Sequence, residues 1–168
     1  MGISEFEDAF EDERRIQGAI LNEPIRALKP KPPVCVKPGS SLREAIEAMN
    51  AVKGGCVLVT DGETLLGILT ERDILRHVVG KLELETPAER VMTRDPETVH
   101  LDDGIALALN KMSQGGYRHI PVVDEAGRPT GVVSVRDFVR FIVSLFPAAV
   151  LNLPPEPRLG TARSPEGA

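Results

Sequence analysis

The chain has 168 residues, enough for one ordinary domain or two small units sharing a core, and its 42% hydrophobic and 27% charged content is that of a globular protein in water. A formal net charge of −5 lacks the basic footprint of a nucleic-acid binder, and with 4% aromatics, no Trp and one Tyr there are few rings for bases to stack on. No uncharged run approaches the roughly 18 residues that span a bilayer, and acids stand at the N-terminus where a secretion signal is basic and then apolar, so a cytoplasmic protein off the membrane is expected.

Residues 1–23 carry seven acids (Glu5, Glu7, Asp8, Glu11, Asp12, Glu13, Glu23) against Arg14 and Arg15. Phe6 with Phe10, and Ile16 with Ile20, are i,i+4 pairs, so an acidic N-terminal helix is expected, either packed on the domain by its apolar side or offered to a partner. From residue 24 the chain repeats itself. Displacement by 63 lays Pro24 on Pro87, Pro33 on Pro96, Val36 on Val99, Ala45 on Ala108, Met49 on Met112, Val59 on Val122 and Asp61 on Asp124. One extra turn residue then makes the displacement 64, and Gly67 meets Gly131, Arg72 meets Arg136 and Asp73 meets Asp137. The expected division is a first repeat over 24–80, a linker over 81–86 and a second repeat over 87–146.

Each repeat should open on a short strand, around Cys35 and Val36 or Thr98 and Val99. Leu42, Ala45, Ile46 and Met49, matched by Ile105, Ala108, Leu109 and Met112, step by three and four and predict a helix, with turn and cap residues before it at Pro38–Ser41 or Asp102-Asp103. Two strands follow, Cys56–Val59 and Leu65–Leu69, or His119–Val123 and Thr130–Val133, joined by turns at Asp61-Gly62-Glu63 and Asp124–Gly127. A closing helix uses Ile74, Leu75, Val78 and Val79, or Phe138, Val139, Phe141 and Ile142. The fold class is therefore α+β: tandem β-α-β-β-α units too small to bury their sheets alone, packed together about a pseudo-two-fold axis. Beyond Phe146, five prolines among small and polar residues predict a Pro-rich tail over 147–168 that is mostly disordered.

The most informative stretches are Gly67–Asp73 and Gly131–Asp137. Each ends a strand at a hydroxyl residue, Thr70 or Ser134, with an aspartate three places later, which is the spacing of a helix N-cap and its N3 partner. Such a helix start offers free N–H groups and a favourable dipole to an anion; equally, it is an ordinary capping box that needs no ligand. The copies differ elsewhere, since Tyr117, Arg118, His119 and Pro121 of the second replace Gly54, Gly55, Cys56 and Leu58 of the first.

The tandem β-α-β-β-α units, the Gly-apolar-apolar-Ser/Thr-x-x-Asp segments and the Tyr117–Asp124 run resemble the cystathionine-β-synthase-type (CBS) domain pair, or Bateman module, over 24–146. The resemblance implies a regulatory module that forms disc-like homodimers, binds AMP, ADP or ATP and sometimes S-adenosylmethionine in its inter-repeat clefts, and signals to an effector protein. Carried onto this sequence, it makes Asp137 and Asp73 ribose contacts and Ser134 and Thr70 anion contacts. It sets Arg136, Arg118 and His119 near the phosphates, with Arg72 and Tyr117 as further ligand-binding residues. Thr98, Val99, Ile120 and Pro121 would supply the adenine slot. The Asp137 cleft is expected to bind more strongly. A ligand-free dimerisation or interaction module is the alternative reading.

Other chemistry finds little support. Cys35, Cys56, His77, His100 and His119 lack metal-ligand spacing, although Cys56 and His119 hold equivalent positions and could meet near the pseudo-two-fold; both cysteines are expected to be free, buried thiols. There is no GxSxG, P-loop, GxGxxG or HExxH, so neither catalytic residues nor a resident cofactor is expected.

Overall fold

A computed structural model describes residues 22–145 without a break, together with Arg14 and Gly18. Most of the acidic helix expected over 1–23, and the Pro-rich tail over 147–168, lie outside the described residues. After a 3-10 turn at Ile25–Leu28, the first repeat contains β1 (Cys35–Val36), α1 (Leu42–Ala51), β2 (Cys56–Asp61) and β3 (Thr64–Thr70). It closes with α2 (Glu71–Asp73), which widens at once into a π-helical turn, Ile74–Val78. The second repeat follows a 3-10 turn at Ala88–Arg90 with β4 (Thr93–Arg94), α3 (Ile105–Gly115), β5 (His119–Val123), β6 (Pro129–Ser134) and α4 (Val135–Leu145).

The two repeats exchange their leading segments. The first sheet has the order β1-β2-β3-β4, so the strand at its edge, Thr93–Arg94, belongs to the second repeat. The second sheet is β5-β6 extended by bridges from Val99 to Val122 and from Lys31, a first-repeat residue, to Val132. Backbone hydrogen bonds copy the exchange: Ile25 N donates to Asp103 O at 2.8 Å and Ala88 N to Ser40 O at 2.7 Å, while Ile105 N donates to Glu23 O and Leu42 N to Thr86 O. Each pair is related by the displacement of 63 seen in the sequence. The strand expected at Thr98 and Val99 is reduced to the single Val99 bridge, and Thr93–Arg94 is a strand that the apolar pattern did not reveal, because two exposed residues show no alternation.

The exchange explains the glycine that opens both motifs. A Cβ on Gly67 would stand 2.5 Å from Met92 Sδ and 2.8 Å from the Thr93 carbonyl oxygen; one on Gly131 would stand 3.0 Å from Pro30 Cβ and 3.2 Å from the Lys31 carbonyl. The glycines thus admit the crossing segment of the other repeat.

Two aliphatic cores result, each sealed by its neighbour. Under the second sheet, Ile105, Ala108, Met112, Ile120, Val122, Val133 and Phe138 enclose Ile25 and Leu28 from the first repeat. Under the first, Leu42, Ala45, Met49, Val57, Val59 and Leu69 enclose Ala88 and Met92 from the second. Complete burial of side chains such as Leu42 and Ile105 contributes about 1.5–3 kcal/mol each, and Ser41 fixes the start of α1 through a reciprocal capping box with Glu44. In the second repeat the cap is Gly104; Asp103 instead accepts a hydrogen bond from His100 N at 2.7 Å. The closing helices are less buried than their apolar residues suggested. Val78 and Phe138 enter the cores, whereas Leu75, Val79 and Val139 point to solvent, because residues one apart leave a helix about 100° apart.

Candidate functional site

Thr70 forms the full capping box its spacing predicts, and Ser134 forms the half of one in which the aspartate accepts. Ser134 donates through its N–H at 2.8 Å and its hydroxyl at 2.7 Å to Asp137 Oδ2. Thr70 donates likewise to Asp73 Oδ2, at 2.9 and 2.7 Å. One oxygen of each carboxylate is thereby committed. The other, in Asp137, takes only a 3.3 Å contact from the exposed Arg140, and in Asp73 it takes no hydrogen bond among the described residues. Asp137 is 8% exposed, so its charge is held out of bulk water with acceptor capacity in reserve.

Each cap heads a cleft between the repeats. The Ser134–Asp137 cleft encloses about 720 Å³ and is closed from the first repeat by Lys31–Val34 and Val52–Cys56. The Thr70–Asp73 cleft encloses about 280 Å³ and is closed from the second repeat by Thr93, Pro96, Glu97 and Gly115–His119. The larger volume lies just above the middle of the range typical of small-molecule pockets. The inequality follows from the substitution noted in the sequence. Where the large cleft has Gly54, the small one has Tyr117, and Arg72 spans its mouth to the Gly116 carbonyl at 2.7 Å.

The expected site residues divide accordingly. Ser134, Arg136 and Asp137 share the large cleft; Thr70, Arg72, Asp73 and Tyr117 share the small one; Arg118 and His119 line both. The Tyr117 run therefore belongs chiefly with Asp73, not with Asp137. Thr98, Val99, Ile120 and Pro121 line neither cleft, which moves the apolar slot elsewhere. Val99 and Ile120 are buried in the second core and Pro121 is buried on the other face of β5, and the Thr98 carbonyl accepts a hydrogen bond from Lys111 Nζ. Apolar surface in the large cleft comes instead from Pro32, Pro33, Val34, Val52 and Val132. The repeat itself carried a signal for this, since Pro33 aligns with Pro96 of the small cleft.

The wall between the clefts consists of Gly55, Glu71, Arg118 and His119. The His119 ring lies where a Cβ on Gly55 would be, 3.0 Å from that position. Burial, aided by the Arg118 charge, holds the imidazole below its ordinary pKa and so favours its neutral form, against the pull of Glu71 and Asp137. Burial and then Glu71 push the Cys56 thiol up to about 12, which makes it a poor metal ligand at neutral pH. No group of three or more potential metal-binding side chains occurs among the described residues. Nor does any helix among them have the length and apolarity to cross a membrane.

The CBS-domain family model matches residues 25–80 and 88–144. An uncharacterised 17.7 kDa protein of Acidianus ambivalens is 33% identical over 111 residues, covering 66% of this chain and 67% of its own length. The CBS domain-containing protein CBSCBSPB5 of Arabidopsis thaliana is 48% identical over 93 residues, covering 53% of this chain but 17% of its own. An uncharacterised protein of Methanocaldococcus jannaschii, MJ1225, is 29% identical over 127 residues, covering 75% of this chain and 45% of its own length. Among solved structures, the CBS domain protein PAE2072 of Pyrobaculum aerophilum, complexed with AMP, superposes with a TM-score of 0.66 at 30% identity, covering 77% of this chain and 95% of that one. The CBS domain pair of protein MJ0100, in complex with 5′-methylthioadenosine and S-adenosyl-L-methionine, gives 0.67 at 26% identity, covering 73% and 98%. With its exchanged repeats and its two capped inter-repeat clefts, the chain belongs to the CBS-domain family as a tandem pair of such domains.

Proposed function

We propose that this CBS pair is a regulatory module that takes an adenosine compound (AMP, ADP or ATP, with S-adenosylmethionine as a further candidate) into its inter-repeat clefts and passes the binding signal to a partner protein. The observation that carries the reading is the symmetric placement of Asp137 and Asp73. Each is fixed by its cap through one oxygen, while the other takes no hydrogen bond in Asp73 among the described residues and only a 3.3 Å contact from exposed Arg140 in Asp137, in a cleft completed by the opposite repeat. A vicinal diol such as ribose is the ligand chemistry that such an oxygen selects. Arg136 and the start of the 11-residue helix α4 receive phosphate, and Pro33, Val34 and Val132 offer the base its apolar surface. Complexes of related CBS structures with AMP, and with 5′-methylthioadenosine and S-adenosyl-L-methionine, support the same class.

In this reading the ligand joins both repeats, so it favours whichever arrangement narrows the cleft, and its signal equals its differential affinity for the two states. The module itself catalyses nothing. Calorimetric titration with AMP, ADP, ATP and S-adenosylmethionine tests it. Saturable binding of at least one is expected, with Asp137→Asn or Asp73→Asn weakening it about tenfold or more; ligand affinity unchanged in both variants, with the fold intact, overturns the assignment.

A homodimer is supported by the exposed apolar faces of the closing helices. Leu75 is 71% exposed and Val139, its equivalent in the other repeat, 54%; Val79 is 61% exposed. Two equivalent faces on one chain suit an isologous contact with a second copy. Should no adenosine compound bind, this contact leaves the ligand-free interaction module as the reading.

A further inference from the structure

The two clefts share a pseudo-symmetric frame but not a charge. In the large cleft Asp137 is matched by Arg140, which leaves Lys31, Lys53, Arg118 and Arg136 facing one carboxylate, Glu71. In the small cleft Glu97 is held by Lys111 at 2.7 Å, and Arg72, Arg76 and Arg118 face both Glu71 and Asp73. Arg118 and Glu71 are common to the two, so the difference comes from the residues that each cleft has to itself.

Space and helix geometry run the same way. The cationic cleft is the larger, about 720 against 280 Å³, because Gly54 stands where Tyr117 fills the other. Its cap opens the regular 11-residue helix α4, whereas the cap of the small cleft opens a single α turn that widens into a π turn. Only the first arrangement aligns peptide dipoles over several turns toward the ligand.

On these grounds, and resting on the adenosine-compound reading above, we infer that the clefts sort their ligands by the charge on the 5′ substituent. The Ser134–Asp137 cleft takes the di- or triphosphate. The Thr70–Asp73 cleft takes an adenosine compound bearing one phosphate or none, such as AMP or a thioether nucleoside. Lys31 and Lys53 are specificity-determining residues for the first: both are exposed, both come from the first repeat, and neither touches the cap. Arg72, fastened to Gly116, restricts the second.

The test is calorimetry on the full chain with ADP and with 5′-methylthioadenosine, each titrated alone and after saturation with the other, for the native protein and for Lys31→Glu/Lys53→Glu. The expected result is independent binding of the two compounds. The double reversal should weaken ADP about tenfold or more and leave the thioether nucleoside within about twofold, and raising salt should weaken ADP alone. Asp73→Asn should affect the thioether nucleoside and not ADP. Competition of the two for one cleft, or equal loss of both in the lysine variant, overturns the sorting while leaving nucleotide binding in place. Binding of neither overturns the adenosine-compound reading itself, and the sorting with it.

Discussion

Ile25→Ala is the sharpest probe of the exchanged segments. Ile25 is fully buried, yet its side chain lies in the core of the second sheet, among Ile105, Ile120, Val133 and Phe138, while its own repeat forms the other sheet. The substitution removes three aliphatic carbons at about 0.8 kcal/mol each, and the cavity left in a sealed core brings the loss to about 2–5 kcal/mol. For a chain of this size that lowers the melting midpoint by about 6–12 °C, taking about 3 kcal/mol as central and about 2–4 °C per kcal/mol. With no Trp and one Tyr, the assay is thermal unfolding followed by far-ultraviolet circular dichroism. Leu101→Ala is the control, since Leu101 lies beside the same segment but is 40% exposed, and it should shift the midpoint by no more than about 2 °C. Because the loss arises in the second core but disrupts a first-repeat segment, both repeats should melt in one transition. Two transitions, with Ile25→Ala moving only one, or a shift no larger than that of Leu101→Ala, would refute the claim that exchange binds the repeats into one cooperative unit.

The other predictions concern the cleft wall and the exposed face. His119 is held below its ordinary pKa by burial and Arg118, with Arg136 adding to the effect and Glu71 and Asp137 opposing it; the unfolded chain therefore takes up the proton first, and the fold should lose stability as pH falls below about 6.5. In melting midpoints between pH 7.5 and 5.5, His119→Gln should flatten that slope, and an unchanged slope would remove His119 as its origin. Cys56, with its thiol pushed up to about 12, should resist a disulfide reagent at pH 8 until urea unfolds the chain, whereas the exposed Cys35 should react first. Leu75→Glu with Val139→Glu should convert a dimer to a monomer in sedimentation velocity without lowering the melting midpoint by more than about 2 °C, because both side chains are exposed within one chain.

The residues that sequence reading found most easily are those governed by local physics. Helical spacing at Leu42, Ala45 and Met49 marked a buried face, and Ser134 with Asp137 marked a cap, because each depends on neighbours only three or four positions away. What escaped was non-local. Thr98, Val99, Ile120 and Pro121 were expected to line a cleft because the resemblance assigns those strand positions to the base, but Val99, Ile120 and Pro121 are buried, the last two on opposite faces of β5. Lys31–Val34 carries no helical or alternating pattern, and it reaches Ser134 only because the first repeat's leading segment crosses to Val132. The clue to that crossing lay in Gly67 and Gly131, which open the repeated strand-to-helix motif in both copies. A glycine that recurs at one place in a buried strand of both repeats demands a reason, and the reason here is a backbone passing too close for a Cβ. Read that way, the repeated glycine locates the exchange, the exchange assigns each leading segment to the opposite cap, and the two clefts follow as a consequence of chain crossing, with neither repeat able to form one alone.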